Sequence, residues 1–335
     1  MGEGGRMSDT NTAPTPATGG PKALSPLEIR LGSLRLRNPV LAASGAFGSG
    51  GDYHGLIDNA LLGGFVTKSV TLHPRRGNPH PRVAETPSGM LNSIGLENPG
   101  IDRFLRHEWV AASAEPCAAV LSVAGGTPEE YAELCAKAEA VGTVPAIEIN
   151  LSCPNVKEGG RTFGADPGAV EGILRRCRAE TSAFLVAKLT PNADPAAVAE
   201  GAEAGGADAV SLINTLIGMA IDVERKRPKL AMGTGGLSGP AIRPVAVAMV
   251  HRVHRAVGIP VIGIGGIASA EDALEFLLAG ASAVQVGTAL FTDPGAMGRI
   301  IAGLSEYCTR HGHASIREVT GALEGGDLLG SGGRT

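Results

Sequence analysis

PVIGIGGIASAEDALEFLLAGASAVQVGT, residues 260–288, holds one complete structural unit in a single reading. Pro260–Ile264 is a short apolar run bounded by glycine, the signature of a buried strand. Ser269-Ala-Glu-Asp272 is a capping box, and Ala273, Leu274, Phe276, Leu277 and Leu278 give the apolar face of the helix it opens. Ala279–Ala281 closes that helix with a glycine that can take a positive φ, and Ala283–Val286 is a second buried strand. Strand, helix and strand in this order predict a parallel βαβ unit.

Outward from this unit the same rhythm repeats. Apolar runs fall at Pro39–Ala43, Gly64–Val70, Ala118–Val123, Ala146–Leu151, Ala183–Leu189 and Ala209–Ile213, which with the two above makes eight. Thr127-Pro128-Glu129-Glu130 opens one intervening helix with an N-cap and a proline at its first position, and Gly205-Gly206-Ala207 closes another. Eight such units predict an α/β fold of the closed (β/α)₈ type, a TIM barrel; an open doubly wound sheet is the alternative. No GxGxxG follows the first strand, and Gly45–Gly51 (GAFGSGG) lacks that order, so a dinucleotide fold has little support. Leu27–Leu36 alternates apolar and polar residues as a small hairpin does. Two intervals, His73–Pro99 and Leu216–Gly239, are too long for turns; both follow strand ends and predict ordered loops, with short extra strands, on the barrel's C-terminal face.

Composition bounds the function. A formal net charge of −4 and 3% aromatics leave no footprint for nucleic acid. Five cysteines, Cys117, Cys135, Cys153, Cys177 and Cys308, have no CxxC pair, which argues against a disulfide framework, a zinc site or a self-contained iron–sulfur cluster and fits a reducing cytoplasm. No run approaches the ~20 apolar residues of a membrane span. Residues 1–24, rich in Gly, Pro and Thr, read as a disordered tail, with Met7 as an alternative start; 25–322 read as the barrel and 323–335 as a flexible C-terminal tail.

In a barrel the strand ends converge on one mouth. Here they carry Ser44; Lys68 and Ser69; Asn150; Lys188; Ile213, Asn214 and Thr215; Gly265 and Gly266; and Gly287 and Thr288. The fourth strand runs on into Ser152, Cys153, Pro154 and Asn155, followed by a Gly-Gly pair at Gly159-Gly160 suited to a flap. A thiol delivered there reads either as an active-site group or as a buried structural cysteine. The glycine turns after strands seven and eight suit a phosphate, whose oxygens meet main-chain N–H groups; singly they read equally as tight turns. Lys68 and Lys188 interrupt apolar strands, so each needs an anionic or strongly polar partner, and a flavin ring is one that becomes negative on reduction. Asn92, Asn150, Asn155 and Asn214 offer paired donors and acceptors for a flat ligand with amides and a carboxylate.

Long segments, GNPHPRVAETPSGMLNSIGLENPG (77–100), EINLSCPNVKEGG (148–160), INTLIGMAIDVERKRPKLAMGTGGLSGPAIRPVA (213–246) and residues 260–291, resemble the dihydroorotate dehydrogenases over about 27–321. Within that family the resemblance is to the class 1B catalytic subunit: Cys153 is like class 1, where class 2 has serine, and Ile94 stands where class 1A usually has methionine. The resemblance implies FMN and the oxidation of (S)-dihydroorotate to orotate in pyrimidine synthesis. It implies that FMN touches Ser44, Lys68, Ser69, Ser122, Asn150, Lys188, Ile213, Gly239, Gly265, Gly266, Gly287 and Thr288. Substrate would touch Lys68, Asn92, Ser93, Ile94, Gly95, Leu96, Asn150, Asn155, Asn214 and Thr215. Cys153 would be the base at C5, with the C6 hydride going to flavin N5, and Val156–Phe163 would be a flap that excludes water. Ser122 departs from the family's usual asparagine, which predicts a weakened or water-bridged hydrogen bond to the flavin edge. A homodimer, joined in a heterotetramer by a partner subunit carrying FAD and a 2Fe-2S cluster and passing electrons to NAD, is likewise implied. The rival readings are a flavin barrel for a related dihydropyrimidine and a non-catalytic barrel that binds a phosphate ligand.

Overall fold

A computed structural model describes residues 1, 25–53, 55–152, 157–158 and 161–325. Eight parallel strands close into a barrel: Val40–Ala42, Gly64–Val66, Ala118–Val123, Ala146–Asn150, Phe184–Lys188, Ala209–Leu212, Val261–Ile264 and Ala283–Val286. Each strand pairs with its neighbours in chain order, and the eighth returns to the first through Val284↔Val40, Gln285↔Leu41 and Val286↔Ala42. That last pairing excludes the open sheet, because an open sheet leaves two unpaired edges.

The strands are buried on both faces, by the helices outside and by one another inside. The helices start where their caps say. Thr127 Oγ1 accepts from Glu130 N at 3.2 Å and opens Pro128–Val141. Ser269 and Asp272 form the reciprocal capping box of Ala270–Leu278. Asp166 and Asp194 cap Pro167–Glu180 and Pro195–Ala204 in the same way, each followed by proline at the first helical position. Each cap is worth about 1 kcal/mol. Between the first two strands the described residues form no α-helix, only the short turns Gly51–Tyr53 and Asn59–Leu61. Gly45, Gly48, Gly50 and Gly55 all have positive φ there, which no helix accommodates, and Phe47 stacks on Tyr53 at 4.9 Å to hold the loop instead.

The predicted hairpin is Ile29–Leu31 paired with Leu34–Leu36; its alternate apolar residues are buried, and Gly32 lies against the Phe184 ring at the start of the fifth strand. It therefore closes the bottom of the barrel. At the opposite end the two long loops meet. Val83–Thr86, Gly89–Asn92, Gly235–Ser238 and Leu216–Gly218 form one antiparallel sheet, with Leu237↔Leu91 at its centre. Two segments some 140 residues apart in sequence thereby build one wall over the mouth. Among the described residues no helix is long and apolar enough to cross a membrane.

Candidate active site

At the mouth, a hydrogen-bonded chain of short polar side chains crosses from strand to strand. Ser44 Oγ donates to the Thr67 carbonyl at 2.8 Å and lies 3.4 Å from Ser69 Oγ. Ser69 Oγ is 2.8 Å from Ser122 Oγ and accepts from Asn150 Nδ2 at 3.3 Å. Asn150 Oδ1 in turn takes Asn214 Nδ2 at 3.5 Å, and Asn214 Oδ1 accepts from Thr215 N at 2.7 Å. Residues from the first, second, third, fourth and sixth strands thus share one network. Asn150 and Asn214 keep partial exposure, whereas Ser122 is fully buried with its hydroxyl on Ser69. Ser122 therefore joins the network at the mouth through Ser69.

The two lysines differ in their partners. Lys188 is buried, and its Nζ lies 3.2 Å from Glu148 Oε1. Its anionic partner in the structure is thus a carboxylate of the neighbouring strand, which the sequence reading had not singled out. Glu148 Oε2 also accepts from Ser211 Oγ at 3.1 Å and Gln285 Nε2 at 2.8 Å. Lys68 has no hydrogen bond or ion pair of its side chain among the described residues, and its Nζ lies near Gly45. Burial, and then repulsion from Lys188, hold the Lys68 ammonium below the ordinary lysine range, while Glu97 pulls the other way. An ammonium so placed is a ready partner for an anion.

The glycine turns lie side by side. A Cβ on Gly266 would stand 2.8 Å from the Gly239 carbonyl, one on Gly239 would meet Thr288 Cγ2 at 3.5 Å, and one on Gly265 would meet Ile213 Cγ1 at 3.5 Å. Thr288 Oγ1 donates to Ser238 Oγ at 2.8 Å. No main-chain carbonyl among the described residues takes the N–H of Gly266, Gly287 or Thr288. Three such donors at one end of the mouth make an anion cradle. Gly266 has φ +77°, and an added Cβ would collide with main chain, so Gly266→Ala is expected to cost about 1–3 kcal/mol of stability. Gly287→Ala, which meets only Ala43 Cβ at 3.5 Å, is expected to be neutral or slightly stabilising. Thermal unfolding of the two variants checks the contrast; equal losses would sink it.

The wall supplies the remaining groups. Asn92 Nδ2 donates to the Gly236 carbonyl at 3.4 Å, and Gly236 packs against Thr215. Asn78 Nδ2 donates to Ser93 Oγ at 2.9 Å, and Asn78 N donates to the Ile94 carbonyl at 2.9 Å. Gly95 and Leu96 both take positive φ, +77° and +55°. For a leucine this is a strained conformation, and buried Asn98 holds it: Asn98 Nδ2 donates to the Leu96 carbonyl at 2.7 Å, while Asn98 Oδ1 accepts from Thr71 N. Cys153 and Asn155 lie outside the described residues. So does part of the predicted flap; of it, Lys157–Glu158 and Arg161–Thr162 pair as short antiparallel strands.

Residues 26–308 match the family model of dihydroorotate dehydrogenase. The chain belongs to the dihydroorotate dehydrogenase family. Among similar proteins, the dihydroorotate dehydrogenase B (NAD(+)) catalytic subunit of Trichlorobacter lovleyi is 53% identical over 300 residues, 89% of this chain and 99% of its own. The proteins of the same name from Pelobacter propionicus and Bacteroides fragilis are 50% and 48% identical over 299 and 302 residues; the alignments cover 89% and 90% of this chain and 98% and 100% of theirs.

A dihydroorotate dehydrogenase works with a flavin, and the residues present fit one. The unspent N–H groups of Gly266, Gly287 and Thr288 suit its phosphate, and the amides of Asn150 and Asn214 suit a flat polar ring. Gln285 Oε1 is buried without a hydrogen-bond partner among the described residues, on the layer just below the mouth. Residues that sequence reasoning passed over are therefore Glu148, Gln285 and Asn98. For Glu148 a signal existed: it precedes Asn150 by two on a strand, so both point to the same face.

Proposed function

We propose that this chain is the FMN-bearing catalytic subunit of a dihydroorotate dehydrogenase that oxidises (S)-dihydroorotate to orotate and hands the electrons through a second subunit to NAD. The observation that carries the site assignment is the Lys68 ammonium, without a side-chain partner among the described residues, at a mouth lined by the amides of Asn92, Asn150 and Asn214. Dihydroorotate is a small ring with two carbonyls, two N–H groups and a carboxylate, flat once oxidised to orotate, and this set of donors and acceptors complements it. Family membership and the shared name of the relatives favour it over another dihydropyrimidine.

When bound, FMN supplies the two-electron acceptor for the hydride leaving C6. Lys68 would hold the substrate carboxylate, and Asn150 and Asn214 would grip the ring's carbonyl and N–H groups and so orient it. Cys153 takes the proton from C5; a thiolate is competent near neutrality because the unperturbed pKa of cysteine is ~8.5. Lys188 would hold a fixed positive charge beside the flavin ring, which favours the reduced cofactor. The partner subunit, with FAD and a 2Fe-2S cluster, meets a homodimer of this chain in the cytoplasm. Ile217, Met219, Ile221 and Val223, all exposed on the 216–239 loop, offer an apolar surface for such assembly.

The purified chain is expected to be yellow and to release FMN, not FAD, on denaturation. Alone, it should bleach its flavin with dihydroorotate under anaerobic conditions yet reduce NAD⁺ hardly at all. Release of FAD would refute the cofactor assignment, and efficient NAD⁺ reduction by the isolated chain would refute the need for a partner.

A further inference from the structure

The inside of a (β/α)₈ barrel is usually filled by apolar branched side chains. Just below this mouth it is not. Glu148, Ser211 and Gln285, from the fourth, sixth and eighth strands, are almost wholly buried, and Lys188 from the fifth is 6% exposed. Glu148 is the hub: its two carboxylate oxygens take all three partners, Lys188 at 3.2 Å, Ser211 at 3.1 Å and Gln285 at 2.8 Å. A buried ion pair is a poor way to stabilise a core, since an apolar pair of the same size often does as well or better. Its retention here asks for another reason.

The neighbourhood gives one. Lys188 stands in register with Asn150 and Ser211, one level above Glu148, so its side chain must lean down to reach the carboxylate. Without that anchor the ammonium has a long flexible stem and a second ammonium, Lys68, close enough to repel it. We propose that Glu148 is the positioning residue for Lys188: held in place by hydrogen bonds from Ser211 and Gln285, its carboxylate fixes where the Lys188 charge sits at the floor of the flavin site. This rests on the flavin reading above. Glu148 itself touches no ligand; it acts through Lys188.

A double-mutant cycle separates this from a general structural role. Apoprotein is titrated with FMN in four chains: parent, Glu148→Gln, Lys188→Met and the double variant. Glu148→Gln is expected to weaken FMN binding about tenfold in the parent, and by less than about twofold where Lys188 is already methionine. Thermal unfolding of the same four chains without FMN gives a second readout. Glu148→Gln alone strands a buried ammonium, so it should unfold at a lower temperature than the double variant, or fail to fold where the double variant folds. FMN affinity that is unchanged in Glu148→Gln, or lost equally in both backgrounds, overturns the proposal. If the parent binds no FMN, the flavin reading fails; the unfolding cycle still decides, and a double variant no more stable than Glu148→Gln overturns the positioning role.

Discussion

Cys153→Ala is expected to bind orotate nearly as well as the parent while its flavin is reduced by dihydroorotate roughly 10²–10⁴ times more slowly, the usual worth of a positioned general base. Orotate has already lost the C5 proton, so its grip depends on Lys68 and the asparagines and not on the thiol. Cys153→Ser is the more discriminating change, because it keeps the shape and loses the acidity. An unassisted serine hydroxyl holds its proton far more tightly than a thiol, so its activity near pH 7 should also be low. In the parent, the rate of flavin reduction should rise with pH as the thiol gives up its proton, and in Cys153→Ala that limb should be absent. Stopped-flow reduction across pH measures both. A folded, flavin-loaded Cys153→Ala chain that reduces at near-parental rates would show that the cysteine is structural.

Much of the architecture was legible because parallel barrels repeat one local rule. Ser269-Ala-Glu-Asp272 and Thr127-Pro128 announced helices that begin there, and the apolar runs at Ala118–Val123 and Ala283–Val286 are strands with those bounds. Asp166-Pro167 and Asp194-Pro195 carry the same cap chemistry and could have been read in the same way. The run at Gly64–Val70 was longer than its strand, which ends at Val66. Beyond it Thr67 turns its hydroxyl to the Ser122 N–H, and the chain leaves the ladder until the isolated bridge of Val70 with Val123. Polar groups at strand ends bend the chain out of register in a way that hydrophobic periodicity does not encode.

Partnerships inside the site were legible only in part. That Lys188 needs an anionic or strongly polar partner follows from burial alone; that Glu148 answers it depends on the lateral register of two strands, Val186↔Glu148 and Lys188↔Asn150. Register is set by closure of the whole barrel, not by either strand. The wall over the mouth has the same origin, since Leu91 and Leu237 meet only because both loops rise from the same end of the barrel. For Ser122 the sequence predicts a weakened or water-bridged hydrogen bond to the flavin edge; in the structure its hydroxyl lies 2.8 Å from Ser69 Oγ, a pairing that no feature of its own strand encodes.

Lys68→Met should be the most damaging change to substrate affinity. In a chain that keeps its FMN, orotate is expected to bind about a hundredfold more weakly, within the ~2–5 kcal/mol seen when one partner of a desolvated charge pair is removed. The pH dependence carries the finer test. Only the protonated amine holds the carboxylate, and burial with Lys188 nearby lowers the Lys68 pKa from the ordinary lysine value of 10.5. Affinity should therefore be flat near neutrality and fall as pH rises, with the decline setting in below 10.5, about tenfold per unit once Lys68 is neutral. A cysteine thiol has an unperturbed pKa of ~8.5 and adds a negative charge when it ionises, so the measurement belongs in the Cys153→Ala background. There the alkaline decline should vanish when Lys68→Met is added, because the methionine has no proton to lose. An orotate affinity that still falls with pH in the double variant would move the carboxylate contact away from Lys68 and onto another titrating group.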